Sequence, residues 1–125
     1  MRQLQVKRVY APAEDGDGLR VLVDRLWPRG IARKKAAIAI WMKEIAPSDV
    51  LRREFHGNPD RWDAFCAAYA AELQTPAAQA AARVLTSHLS EGPVTLLYAA
   101  RDEQHNNAAA LRDWLLQFGA TGTSP

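Results

Sequence analysis

Apolar positions along the chain fall into two short, nearly continuous runs, residues 19–23 and residues 94–100. Continuous apolar runs are typical of strands that are buried on both faces, whereas a half-exposed strand alternates apolar and polar residues. Turn-forming residues bound both runs, and we therefore predict two central strands. A third strand is predicted over residues 4–10, where Leu4, Val6 and Val9 are separated by polar side chains.

Apolar residues at three- and four-residue steps predict three helices in the second half of the chain. Their apolar faces are formed by Trp62, Phe65, Tyr69 and Leu73, by Val84, Leu85 and Leu89, and by Ala108, Leu111, Leu115 and Phe118. Thr75 precedes the second of these helices and Asn58 the first. Both residue types cap helices well, because a side-chain oxygen accepts hydrogen bonds from free N–H groups of the first turn. The last helix should close at Gly119.

Ser48 and Asp49 predict the start of a further, short helix, with Ser48 as its cap and Asp49 favouring the positive end of the helix dipole. This helix should end near His56, with Gly57 as the residue that follows it. Residues 31–45 fit either state, because Ile38, Ile40 and Met42 alternate as in a strand while Ile38, Trp41 and Ile45 keep helical spacing. The state of that segment stays open.

The first connection also leaves two alternatives open. Residues 11–18 are rich in turn formers and carry no helical pattern, so the second strand can pair with the first either antiparallel, through a loose hairpin, or parallel, through an extended connection. The loop length slightly favours the hairpin. We predict one α/β domain over residues 1–119, a small and mostly parallel sheet of three or four strands covered by helices, with residues 120–125 as a flexible tail.

Composition narrows the class of protein. A net charge of +2, with 48% apolar and 24% charged residues, is ordinary for a globular domain and too mild to indicate nucleic-acid binding by itself. The single cysteine, Cys66, excludes an internal disulfide and any CxxC motif, and its place on a helix face favours a buried structural thiol. Residues 1–10 lack an apolar signal core and no stretch is long enough for a bilayer, so we expect a cytoplasmic protein without a membrane partner.

Candidate chemistry is concentrated after the two central strands, in the polar clusters of residues 24–29 and 101–107. If these strands are parallel neighbours, both clusters lie at one edge of the sheet, where α/β proteins bind ligands. Arg29 can offer a two-pronged contact to a phosphate or carboxylate, and free N–H groups near residues 104–107 would point the same way. The sequence therefore predicts a pocket for a small anionic molecule.

Roles in this pocket can be assigned by residue type. Arg29 and Arg101 would hold the anion, Asp24 would act as general base or orienting group, and His105 with Asn106 would complete a polar wall. Further binding candidates are Arg25, Trp27 and His56. No cofactor is expected, and no metal, because Asp24, His56 and His105 come from separate segments without a paired-histidine spacing. Hydrolase and transferase chemistry are both compatible with these groups, and whether the protein is an enzyme is left open.

Plainer interpretations apply to the same residues. Asp24 can pair with Arg25, Arg29 or Arg101 and only tie two loops together. His105 can be a cap or surface residue, and His56 can bond the end of its helix. A rival function is a nucleic-acid-binding or regulatory module, which would use the basic segment of residues 29–35 with support from Trp27. A third is an interaction protein. Oligomeric state is not indicated by the sequence.

Three separated motifs together resemble one protein family. They are the residues Val-Asp-Arg-Leu-Trp-Pro-Arg-Gly at 23–30, Trp-Met-Lys-Glu-Ile-Ala-Pro-Ser at 41–48, and Leu-Tyr-Ala-Ala-Arg-Asp at 97–102. In this order they are similar to the DUF488 family, in its short YeaO-like branch. The resemblance implies a compact bacterial α/β protein of unknown function. Longer relatives carry Cys-His-Arg after the last strand, where this chain has Asn106-Asn107-Ala108, so a thiolate mechanism does not transfer to it.

Overall fold

The computed structural model describes residues 3–55 and 58–122, with side chains described as far as residue 118. Within these residues a four-stranded sheet is combined with four α-helices. The strands are β1 (Leu4–Arg8), β2 (Leu19–Leu22), β3 (Ile40–Trp41) and β4 (Val94–Tyr98). The helices are α1 (Asp49–Phe55), α2 (Trp62–Glu72), α3 (Pro76–Glu91) and α4 (Asn107–Gly122). The predicted α/β class is confirmed.

All strand pairs in the sheet are parallel, and the strand order is β1-β4-β2-β3. The last strand of the chain therefore lies between the first two, with Val94 opposite both Leu4 and Leu19. The hairpin alternative for β1 and β2 is wrong, because these strands run parallel and each pairs with β4 instead. Consequently the carboxyl ends of β1, β2 and β4 share one edge of the sheet.

The two faces of the sheet are covered differently. Val21 and Leu96 face the main core, which contains residues of all four helices, including Tyr69, Leu85 and Leu111. The opposite face carries a smaller apolar cluster of Val9, Leu22, Ala36, Ile38 and Leu97, with no helical residue among its buried members. Since side chains alternate along a strand, neighbouring residues such as Val21 and Leu22 enter different cores. Loops thus cover one face of this small parallel sheet, and helices cover the other.

The predicted caps at Ser48 and Thr75 are confirmed, whereas Asn58 caps a short turn that precedes α2 and not α2 itself. The Oγ of Ser48 accepts a hydrogen bond from the amide of Leu51 at 3.1 Å, and Thr75 caps α3 through the amide of Ala78 at 3.3 Å. Asn58 caps a 3₁₀ turn, Pro59–Arg61, that leads into α2. The predicted end of the short helix at His56 and Gly57 lies outside the described residues.

Two further expectations are resolved by the backbone. The open segment, residues 31–45, contains the two-residue strand β3 and a 3₁₀ turn, Lys43–Ile45, rather than one long element. Helix α4 continues to Gly122, past the predicted end at Gly119.

Cys66 is only partly buried beside the main core, and this burial raises the pKa of its thiol. No helix of the described chain has the length and apolarity needed to cross a membrane.

A buried ionic cluster lies at the amino ends of β2 and β4, and Lys7 contributes to it from near the carboxyl end of β1. Asp17 is 3% exposed and accepts hydrogen bonds from Arg20 Nη1 at 2.6 Å and from Lys7 Nζ at 3.1 Å. Its backbone oxygen accepts from the hydroxyl of Thr95 on β4 at 2.7 Å. Burial alone would raise the pKa of Asp17, but hydrogen bonds from the Glu14 amide and the two cations lower it below the usual value. This end of the sheet is closed and its charges are paired.

Candidate functional site

An open cleft of about 640 Å³ lies at the opposite end of the sheet, where β2 and β4 finish side by side. Its walls are residues 24–29 after β2, residues 99–102 and 105–107 after β4, and Tyr10, Arg52, Phe55 and Phe65. Small-molecule sites in proteins span about 300–1,000 Å³, so the cleft is large enough for an organic ligand. Its position matches the edge of the sheet that the sequence singled out.

Most of the candidate site residues lie together in this cleft. Those that line it are Asp24, Arg25, Trp27, Arg29, Arg101, His105 and Asn106. His56, the remaining candidate, lies outside the described residues. The basic side chains of Arg33, Lys34 and Lys35 do not line the cleft, so of the basic residues in this segment only Arg29 lies on its wall.

Asp24 joins the ends of the two central strands. Its Oδ2 accepts a hydrogen bond from the Ala99 amide at 2.9 Å, and its Oδ1 accepts from Asn107 Nδ2 at 3.0 Å. The same Asn107 amide group donates to the Val23 carbonyl at 3.0 Å. Burial raises the pKa of Asp24, although both hydrogen bonds oppose that shift. Within the described chain no arginine forms an ion pair with Asp24, so it ties the loops together through neutral groups.

Four arginines line the cleft, against the carboxylates of Asp24 and Asp102. Arg25 and Arg52 both contact Asp49, with Nε–Oδ2 and Nη2–Oδ1 distances of 3.6 and 3.2 Å. Arg29 and Arg101 are exposed, and across residues 3–55 and 58–122 no carboxylate lies within ion-pair distance of either guanidinium. Two cations are therefore available on the walls of the cleft.

His105 and Asn106 are held by the turn that begins α4. Asp102 Oδ1 accepts hydrogen bonds from the amides of Gln104 and His105, both at 2.9 Å, and these bonds keep the pKa of Asp102 below its usual value. Asp102 Oδ2 lies 3.1 Å from His105 Nδ1. The buried Asn106 uses its Oδ1 to cap α4, accepting from the Ala109 amide at 2.8 Å. The expectation of free N–H groups near residues 104–107 is wrong for Gln104 and His105, because the Asp102 carboxylate already accepts from both amides.

Comparison with known proteins places the chain. The model of the inactive DUF488-N3 subclade matches residues 3–122. The chain belongs to the DUF488 family. It is 46% identical over 112 residues to the uncharacterized protein YeaO of Escherichia coli K12, covering 90% of this chain and 96% of that protein. It is 42% identical over 113 residues to the uncharacterized protein Rv3073c of Mycobacterium tuberculosis H37Rv, covering 90% and 93%. No solved structure matches it significantly.

The three positions at which longer DUF488 relatives are expected to carry Cys-His-Arg have structural roles in this chain. Asn106 caps α4, Asn107 binds both Asp24 and the end of β2, and Ala108 is fully buried in the main core. None of these three side chains is a thiol or another nucleophile. Among the described residues, no three histidine, cysteine or acidic side chains lie close enough together to hold a metal ion.

Several residues that shape the cleft were not predicted from the sequence. Arg8, the last residue of β1, donates from Nε to the Ala100 carbonyl at 2.9 Å and from Nη2 to the Ala99 carbonyl at 3.2 Å. Its guanidinium lies over the ring of Tyr10, at 4.9 Å from the centroid. Tyr10 in turn donates its hydroxyl proton to the Arg29 carbonyl at 2.9 Å. The end of β1 thus connects the two loops that carry the free arginines.

Trp27 is held from two sides in the wall of the cleft. Its indole N–H donates to the Ile31 carbonyl at 2.8 Å, and its ring packs edge-on against Trp41 with centroids 5.2 Å apart. Trp41 donates its own indole N–H to the backbone oxygen of Asp24 at 2.8 Å. These contacts fix the loop after β2, so the backbone that presents Arg29 is anchored on both sides.

Proposed function

We propose that this DUF488 chain binds a small anionic ligand, bearing a phosphate or a carboxylate, in the cleft at the carboxyl ends of β2 and β4. The observation that carries the proposal is the pair of exposed arginines, Arg29 and Arg101, that have no carboxylate partner among the described residues. A planar guanidinium donates two parallel hydrogen bonds to a carboxylate or phosphate.

The other cleft residues support this role by position. Asp24 orients the two loops through the Ala99 amide and Asn107. Asn106 fixes the start of α4, and His105 stands beside Asp102 on the polar wall.

The chemistry of the cleft favours ligand binding without catalysis. A hydrolase or transferase would need Asp24 or His105 as general base or acid. Both carboxylate oxygens of Asp24 already accept hydrogen bonds from protein groups, which supports orientation rather than proton transfer. The matching family model is itself described as an inactive subclade. We therefore propose a ligand-binding or ligand-sensing protein.

Nucleic-acid binding through residues 29–35 has less support. The guanidinium of Arg33 donates to the carbonyls of Ile38 and Ala39 at 3.3 and 3.2 Å. The edge-on contact with Trp41 also occupies one side of the Trp27 ring that would have to stack on a base. A steep loss of affinity with added salt is the signature of binding to nucleic-acid phosphates.

Isothermal titration calorimetry at low salt tests the proposal with inorganic phosphate, sulfate, a nucleoside monophosphate and a short oligonucleotide. We expect one small-anion class to bind, and Arg29→Gln and Arg101→Gln each to weaken it at least tenfold. Arg83→Gln, which removes an exposed arginine of α3 outside the cleft, is the matched control and should bind as the wild type does. Binding by none of the small anions, or equal weakening by Arg83→Gln, would refute the proposal. Salt-sensitive binding of the oligonucleotide alone would favour the nucleic-acid alternative.

A further inference from the structure

The cleft has an apolar part beside its arginines. Phe55 and Phe65 line it with ring centroids 4.8 Å apart, and both rings belong to the main core. Leu26 and Tyr10 line it as well, at 58% and 44% exposed. Exposed large apolar side chains in a concave site are available to pack against a ligand. The wall that presents cations thus also presents apolar area to the same ligand.

The size of the cleft exceeds what a bare anion needs. A volume of about 640 Å³ lies in the middle of the range of about 300–1,000 Å³ that small-molecule sites occupy. Inorganic phosphate has only five heavy atoms and would leave most of that volume, including the space beside the exposed side chain of Leu26, filled with water. Burying such apolar surface is favourable in proportion to its area. A ligand that covers both parts of the cleft therefore gains more than a bare anion.

We propose that the ligand is an organic anion in which an aromatic or heteroaromatic ring is joined to one phosphate or carboxylate, about the size of a nucleoside monophosphate. This inference rests on the proposed function and names its ligand class. The ring packs against Leu26, Phe55 and Phe65, and the anionic group lies between Arg29 and Arg101. An aromatic ring fits better than a flexible aliphatic chain, because flat rings pack edge-to-face on phenylalanine and stack on guanidinium planes.

Calorimetry with five probes separates the two parts of the ligand. Phenyl phosphate and adenosine monophosphate carry both ring and anion, inorganic phosphate and ribose 5-phosphate carry the anion alone, and adenosine carries the ring alone. We expect the two ring-bearing anions to bind at least tenfold more tightly than each of the other three. Similar affinity for phenyl phosphate and inorganic phosphate would overturn the ring requirement.

Variants of exposed residues assign the two contributions without disturbing the core. Leu26→Ser should weaken phenyl phosphate at least threefold and leave inorganic phosphate unchanged, whereas Arg29→Gln should weaken both. Val50→Ser, at a residue that is 62% exposed but outside the cleft, is the matched control and should weaken neither. Loss of both probes in Leu26→Ser with an unchanged unfolding midpoint would contradict the separate apolar contact.

Different results would refute the anion site and the ring requirement. If Arg29→Gln weakens all anions equally and the ring adds nothing in the wild type, the anion site stands and the ring inference falls. If adenosine binds as tightly as adenosine monophosphate and Arg29→Gln changes neither, the anion site itself is refuted. If none of the five probes binds at millimolar concentration, both proposals are refuted.

Discussion

The two ends of strand β2 each carry an aspartate, and the surroundings of these two carboxylates are opposite. Asp17, at the amino end, accepts hydrogen bonds from the cations Lys7 and Arg20 and is 3% exposed. Asp24, at the carboxyl end, accepts side-chain hydrogen bonds from the neutral groups of Ala99 and Asn107, although four arginines line the same cleft. At the closed end the cations are paired with a buried carboxylate, and at the open end two cations face solvent without a carboxylate partner among the described residues.

This difference distinguishes charges that stabilise the fold from charges that are free to bind a ligand. A buried charge must be paired, because its desolvation is otherwise not repaid. An exposed arginine is solvated without a partner, so it can exchange water for a ligand anion at little cost. Arg20 at 3% exposed and the exposed Arg29 illustrate the two cases on one strand and the loop that follows it. Unpaired cations at a concave, solvent-open edge are thus the better indicator of a site.

Removing the carboxylate at the closed end should have the largest effect. Asp17→Ala leaves the buried Arg20 without its carboxylate partner, while Lys7 keeps its ion pair with Glu14 at 2.7 Å. Arg20 Nη2 already lacks a hydrogen-bond partner among the described residues. Breaking a buried pair from one side costs about 4 kcal/mol. Urea unfolding should therefore show a loss of this size, while Asp15→Ala, at an exposed neighbour, stays within about 0.5 kcal/mol. A loss below about 1 kcal/mol for Asp17→Ala would mean that the closed end is not held by charge.

Two glycines with positive φ, one before β2 and one in the loop after it, allow a steric comparison of the two ends of the sheet. A Cβ on Gly18 (φ 64°) would lie 2.1 Å from the Pro93 carbonyl oxygen, whereas a Cβ on Gly30 (φ 76°) would meet nothing within 4 Å. Gly18→Ala combines backbone strain with a clash and should cost about 3 kcal/mol. Gly30→Ala carries the strain alone and should cost about 1 kcal/mol. Equal losses in thermal unfolding would show that the amino end relaxes as freely as the open end.

The sequence predicted the features of the fold that depend on neighbouring residues and missed one that depends on residues far apart in the chain. The apolar runs of β2 and β4 and the caps at Ser48 and Thr75 are local patterns, and each was identified correctly. The position of β4 between β1 and β2 is a non-local choice, which no turn or spacing in residues 11–18 encodes. The hairpin prediction failed because it used loop length alone.

The same distinction applies to the site. Asp24 and Arg101 follow buried strands directly, so the rule on strand ends found them. Tyr10 lines the cleft and Arg8 binds the backbone of the loop after β4, and both do so only because β4 pairs with β1. Arg52 belongs to α1 and carries no strand-end signal.

Asp17 was hidden among turn formers in residues 11–18. A signal did exist, because the strand positions of Lys7 and Arg20 place two cations on the loop-covered side of the sheet, where a buried carboxylate is needed to pair them.

Neutralising the carboxylate at the open end should have a much smaller effect. Asp24→Asn keeps one acceptor oxygen and loses one hydrogen bond, to the Ala99 amide or to Asn107, but it also removes a charge whose burial is unfavourable. The two contributions partly cancel, and we expect a loss of about 1 kcal/mol in urea unfolding. Anion binding should persist, because Arg29 and Arg101 remain in place. A loss as large as that of Asp17→Ala would indicate that both ends depend on charge to the same degree.

The smallest effect, and the finest test of the comparison, is the pH dependence of stability. The pKa of Asp17 lies below 3.8 in the folded state, so its stabilising contribution is complete above that value and is lost as the pH falls through the folded pKa. The pKa of Asp24 is raised above 3.8, so folding gains from its protonation as the pH falls through the folded pKa toward 3.8.

Urea unfolding of the wild type and both variants between pH 7 and pH 3 measures these two contributions separately. The advantage of the wild type over Asp17→Ala should shrink below about pH 4, and the wild type should gain on Asp24→Asn as the pH falls from 7 toward 4. Differencing against each variant removes the other titrating groups, including Asp102, because they are common to both chains. Shifts of the same sign in both comparisons would show that the two aspartates have equivalent surroundings, and the contrast between a closed and an open end of the sheet would fail.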